Sequence, residues 1–60
     1  MTKEERHSEI MENLLKQGSI QVTELANNLQ VSSVTIRKDL TDLEKEGKLY
    51  RSHGKAILIN

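Results

Sequence analysis

Val31-Ser-Ser-Val-Thr-Ile-Arg-Lys-Asp-Leu-Thr-Asp-Leu43 decides the reading of this chain. Ser32 is a helix start signal, because its hydroxyl can accept a hydrogen bond from the unpaired amides of the first turn. Val31 and Ile36 flank it at hydrophobic-staple spacing. At about 100° per residue, Ile36, Leu40 and Leu43 fall on one narrow apolar stripe. Val34, Lys38, Thr41 and Lys45 lie roughly opposite, with Thr35 and Arg37 on the flanks. The exposed first turn and a half therefore offers Ser33, Val34, Arg37 and Lys38, with Thr35 beside them.

That set suits a nucleic acid. Arg and Lys bond guanine edges or phosphates, hydroxyls serve either purpose, and a small apolar group can touch a thymine methyl. The plain alternative is a solvated helix face, on which Lys38 and Asp42 form an i,i+4 pair of modest local value.

Upstream, Thr23 reads as an N-cap with Glu24 in the first turn of a short helix that turns Leu25, Ala26 and Leu29 inward. Only a tight turn separates Leu29 from Ser32, so the two helices form a helix-turn-helix. Asn27 and Asn28 fall on the short helix's outer face. Ser19 to Val22 alternates in polarity and follows Gly18, which suggests a very short strand. A first helix is expected from Lys3 to Gln17, with Thr2 and Glu5 at capping-box spacing, Gly18 as a left-handed stop, and an apolar stripe of Ile10, Met11, Leu14 and Leu15. Downstream, the long helix stops at Gly47. Leu49–Ser52 and Ala56–Ile59 read as strands flanking the turn His53-Gly54-Lys55.

The expected fold is therefore mainly α with a small antiparallel sheet, a winged helix-turn-helix of three helices plus a C-terminal β-hairpin wing. The domain should span about residues 3–58, with the motif at about 20–39 and the wing at about 49–59. Ile10, Leu14, Leu15, Leu25, Ala26, Leu29, Ile36, Leu40, Leu43, Leu49 and Leu58 suffice for one core. Ile57 and Ile59 are left either partly exposed or packed against something outside the chain.

Sixty residues make one small domain, and such a chain buries only about 60% of its unfolded surface. With no cysteine, neither a disulfide nor a thiolate metal site is available. No apolar run reaches the ~20 residues of a membrane span, and the polar N-terminus is wrong for a secretory signal. A cytoplasmic protein with no membrane partner is the expectation. Net charge is zero, which argues against a non-specific basic coat, but its distribution is uneven. Residues 1–30 carry Lys3, Arg6 and Lys16 against Glu4, Glu5, Glu9, Glu12 and Glu24. Residues 31–60 carry Arg37, Lys38, Lys45, Lys48, Arg51 and Lys55 against Asp39, Asp42, Glu44 and Glu46. The second half is the one turned toward a polyanion.

With these parts in place, the chain resembles the DeoR-type bacterial transcriptional regulators over nearly its whole length. The resemblance rests on Arg6 with Ile10 and Leu14, and on Val22–Leu29 reading V-T-E-L-A-N-N-L. It continues through V-S-S-V-T-I-R-K-D-L-T-D-L-E at 31–44, Gly47, and L-Y-R-S-H-G-K-A at 49–56. It implies an N-terminal DNA-binding domain, usually of a repressor of sugar-catabolism genes. A C-terminal effector domain that senses a phosphorylated sugar normally follows, and it is absent from these residues. Lys38 stands where a second Arg is common, which weakens bidentate guanine recognition there. Lys55 stands where the wing often has Gly.

The expected mechanism has three parts. The third helix enters the major groove, with Arg37 the best base reader and Ser33, Val34, Lys38 and Thr41 in support. Ser32, Thr35 and Thr23 suit phosphates. The wing, through Arg51, His53 and Lys55, lies along the backbone or reaches the minor groove. Several have plain alternatives: Ser32 caps its helix with or without DNA, Thr35 can simply satisfy its own helix, and His53 can be a turn residue. Asp39 would repel phosphate and is read as orienting a basic neighbour, whereas His7 is read as lying idle on a polar face. Catalysis is disfavoured, since there is no nucleophile elbow, phosphate loop or metal-ligand spacing, and no cofactor or metal is expected. A winged-helix protein-interaction module is the alternative reading, and it should show an apolar or acidic third-helix face. The isolated domain is expected to be a monomer, and the intact protein a homo-oligomer binding paired half-sites.

Overall fold

The computed structural model describes residues 1–59. Helix α1 (Lys3–Gln17) is followed by strand β1 (Ser19–Gln21), α2 (Val22–Leu29), α3 (Ser33–Lys45), β2 (Leu49–Ser52) and β3 (Lys55–Leu58). Local chemistry sets the ends of α1. The Thr2 hydroxyl accepts from the Glu5 N–H at 3.1 Å, and the Glu5 carboxylate accepts from the Thr2 N–H at 2.7 Å. The helix stops at Gly18, where φ is +80°, a value glycine adopts without steric cost. Ser32 caps α3 by accepting from the Thr35 N–H at 3.2 Å.

The strands form one antiparallel sheet in the order β1-β3-β2. β1 pairs with β3 through Ile20↔Ala56, and β2 pairs with β3 from Leu49↔Leu58 to Ser52↔Lys55. Three helices and this small sheet enclose a core of Ile10, Leu14, Ile20, Val22, Leu25, Ala26, Ile36, Leu40, Leu43, Leu49 and Ala56, with Met11, Leu29, Val31 and Leu58 packed on its edge. Full burial of a large aliphatic side chain contributes about 1.5–3 kcal/mol. The architecture is that of a winged helix-turn-helix.

Several expectations are corrected. Leu15 is 70% exposed. It lies about 140° round the helix from Ile10, so the inward stripe is Ile10 and Leu14. Val22 belongs to α2, not to the strand, and Thr23 is not the N-cap. Gln21 holds that place without a side-chain bond, because the Val22 N–H donates at 2.9 Å to the carbonyl of Gly54 in the hairpin turn. The wing tip thus replaces a capping side chain. The hairpin turn is His53-Gly54 alone, with φ of +50° and +75°, the two-residue type I′ pattern. Lys55 accordingly opens β3, which ends at Leu58, one residue earlier than expected. Asp42 pairs with Lys3 at 3.2 Å, not with the Lys38 of the plain alternative reading. Ile59 is 45% exposed, one of the two placements left open for it.

Candidate nucleic-acid interface

The start of α3 presents an open surface of mixed apolar and polar groups. Val34 is 71% exposed, Arg37 and Lys38 are exposed beside it, and Ser33 and Thr35 are half-buried. No acidic residue lies in the first turn. The first acid along the helix, Asp39, is turned inward and is 2% exposed. A phosphate backbone approaching this end therefore meets cations, hydroxyls and unpaired helix amides. Three hydroxyls here already have protein partners. Thr35 Oγ1 lies 3.0 Å from Ser32 Oγ, and Thr41 Oγ1 donates to the Arg37 carbonyl at 2.9 Å.

The wing stands beside this helix and, besides the pairing of β1 with β3, is hydrogen-bonded to the two helices of the motif. One bond is made by the Gly54 carbonyl at the start of α2. The other contact is with Glu44 of α3, whose carboxylate accepts from the Arg51 N–H at 3.3 Å and from Arg51 Nε at 3.1 Å. Between helix and wing runs an open groove lined by Arg37, Glu44, Arg51, His53 and Lys55. Three fixed cations against one carboxylate give it a positive balance, and His53 Nδ1 lies 3.0 Å from Ser52 Oγ.

Behind the interface, α1 braces the recognition helix. Arg6 donates from Nε to Asp39 Oδ2 at 2.6 Å and from Nη2 to Oδ1 at 3.1 Å, and His7 Nε2 lies 3.3 Å from the same Oδ1. Asp39 thus has the basic partner that spacing alone does not name. His7 is a half-buried member of this network, not an idle surface group. The bond to Asp39 raises the Arg6 pKa, and the bond from the Lys3 ammonium lowers that of Asp42. His7, Asp39 and Asp42 bring three donor atoms within 4.8 Å of one another. Because Arg6 and Lys3 already neutralise the carboxylates, the set works as an ion-pair brace rather than a cation cage.

The expected DNA contacts therefore fall into groups. Ser32, Ser33, Val34, Thr35, Arg37 and Lys38 share the open end of α3, and Arg51, His53 and Lys55 line the wing groove. Thr41 is half-buried, one turn beyond Arg37. Thr23 is exposed on α2 but lies one residue inside the helix. Sequence reasoning missed Glu44 and the Gly54 carbonyl. The Arg37, Thr41, Glu44 spacing (i, i+4, i+7) puts Glu44 on one helix stripe with Arg37, the one signal available for it.

Comparison with known proteins fits this geometry. The DeoR-like helix-turn-helix domain family matches residues 6–60. The chain is 52% identical over 56 residues to the lactose phosphotransferase system repressor of Streptococcus mutans serotype c, covering 93% of this chain and 22% of that protein. It is 46% identical over 54 residues to a putative aga operon transcriptional repressor of Escherichia coli O157:H7, covering 90% and 20%. It is 43% identical over 56 residues to the lactose phosphotransferase system repressor of Staphylococcus aureus strain NCTC 8325, covering 93% and 22%. The chain spans about a fifth of the length of these relatives. No solved structure matches it significantly. Among the described residues no helix is long and apolar enough to cross a membrane. By its family match and its helix-turn-helix geometry together, the chain belongs to the DeoR-like helix-turn-helix domain family.

Proposed function

We propose that residues 3–58 form the sequence-specific, double-stranded DNA-binding domain of a bacterial transcriptional repressor of a sugar-catabolism operon. The observation that carries this reading is the start of α3, where Val34, Arg37 and Lys38 face solvent while Asp39 is buried. A protein-interaction surface would place several apolar or acidic groups there, whereas Val34 stands alone among hydroxyls and cations. Arg37 reads a base edge in the major groove, with Ser33, Val34 and Lys38 in support. Ser32 and Thr35 meet phosphate near the helix N-terminus, Thr41 and Thr23 lie at the margins of the contact, and Arg51, His53 and Lys55 follow the backbone from the wing. The repressor role and the sugar operon follow from what the relatives are called. On the family resemblance, the intact protein is cytoplasmic, assembles as a homo-oligomer on paired half-sites, and senses a phosphorylated sugar through a further domain. The isolated domain is monomeric.

Selection of duplexes from a randomised library, followed by fluorescence anisotropy on the winner and a scrambled control, tests this. The reading expects one enriched sequence, bound at least about tenfold tighter than the control and more weakly as salt rises. Equal affinity for both duplexes would contradict sequence reading, and no binding to either would contradict DNA as the partner.

A further inference from the structure

Glu44 and Arg51 form more than a surface ion pair. One carboxylate oxygen takes the backbone N–H of Arg51, which fixes the strand, and the other takes Nε, which fixes the inner edge of the guanidinium. Each side chain remains about a third exposed, at 37%. Among the described residues the two Nη groups of Arg51 make no hydrogen bond to the protein, and Arg51 lines the same groove as Arg37, His53 and Lys55. A guanidinium carries five N–H donors in a rigid fork. With Nε engaged on the protein, the outer edge of the fork is the part left for a ligand.

We propose that Glu44 is a positioning residue for DNA, holding Arg51 so that its outer guanidinium edge meets a phosphodiester of the duplex. The proposal rests on the DNA-binding reading above and adds a residue that carries the wrong charge to touch DNA itself. A freely rotating arginine loses side-chain freedom when it grips a phosphate, whereas one already clamped loses little. The opposing effect is repulsion between Glu44 and the phosphate. Both carboxylate oxygens are engaged by Arg51, so the carboxylate charge is matched at contact distance, and pre-organisation outweighs repulsion.

The test measures affinity for one mixed-sequence duplex by anisotropy between about 50 and 200 mM salt. The proteins are wild type, Glu44→Gln, Arg51→Ala and the double variant, each checked for folding by circular dichroism. The glutamine amide at position 44 would offer one acceptor oxygen where the carboxylate offers two, so Glu44→Gln should bind several-fold more weakly. Arg51→Ala, which removes the cation itself, should have a log–log salt slope shallower by about 0.9, the release expected for one phosphate contact. Arg51→Ala should bind at least as weakly as Glu44→Gln, and the double variant should be no weaker than Arg51→Ala alone. Tighter binding by Glu44→Gln, or losses that add in the double variant, would overturn the proposal. Should Glu44→Gln not fold, Arg51→Lys carries the test, because it keeps the charge but has no Nε–H to clamp. It should bind several-fold more weakly than wild type, and binding equal to wild type would overturn the role. Absence of salt-dependent binding by wild type would overturn the DNA reading itself, and this proposal with it.

Discussion

Arg6 Nε lies 2.6 Å from Asp39 Oδ2, joining the first helix to the middle of the recognition helix through a carboxylate that is only 3% exposed. The pair explains how a helix with an outward face of cations tolerates an acid near its centre. Asp39 points away from the DNA side and fixes the helix to α1.

Removing one partner leaves the other without compensation, and breaking a buried pair in that way is far costlier than replacing both members. Asp39→Ala should destabilise the domain, read as a lower urea midpoint at unchanged slope. The pair Arg6→Met with Asp39→Leu should cost less than Asp39→Ala alone. A double variant at least as unstable as the single would show that the brace acts through packing and not through charge.

Acid should weaken the fold through two named carboxylates. The Glu5 pKa is lowered first by the bond from the Thr2 backbone and then by its side chain, and the Asp42 pKa is lowered first by the bond from Lys3. A depressed carboxyl pKa contributes stability that is present above the unfolded value, about 4, and lost as pH falls through the folded value. The raised pKa of Arg6 has the opposite sign, so its contribution persists until far into alkali. Glu5→Gln with Asp42→Asn should therefore lower the melting temperature at pH 7. The same variant should lose less than wild type on acidification to about pH 3. Equal acid losses in the two proteins would remove these carboxylates from the account.

Neighbouring leucines on α1 should behave in opposite ways. Leu14 is fully buried and Leu15 is 70% exposed. Leu14→Ala should cost about 2–5 kcal/mol, whereas Leu15→Ala should change stability by no more than about 0.5 kcal/mol. Chemical denaturation of both variants decides it.

That leucine contrast shows how far periodicity carries. The 3.6-residue pattern and Ser32 made α3 and its two faces legible, because capping and amphipathicity are local. The turn into the wing was visible in Gly54, but His53 at positive φ was not, since non-glycine residues rarely adopt it. The start of α2 was misplaced at Thr23 because its first amide is satisfied by Gly54, thirty-two residues further along. For the same reason Asp39 could be given a role but not its partner, Arg6, which comes from a different element. Within the interface, the Arg37 face was legible and Glu44 was not, because its importance lies in the strand packed against it.

Base reading and phosphate contact should separate by mutation. Arg37→Ala should weaken the selected duplex by about 1–3 kcal/mol and relax preference at one base pair, whereas Lys55→Ala should weaken all duplexes alike and flatten the salt slope. Equal losses for Arg37→Ala on selected and scrambled DNA would remove its reading role.

The central claim is that the start of α3 and the wing form one DNA-binding surface. An NMR titration of the labelled domain with its selected duplex, at two salt concentrations, tests that claim most directly. The account predicts shifts concentrated at Ser32–Thr41 and Arg51–Lys55, weakening as salt rises. Shifts centred elsewhere, for example on the α1 face around Met11 and Leu15, or none at low salt, would contradict it.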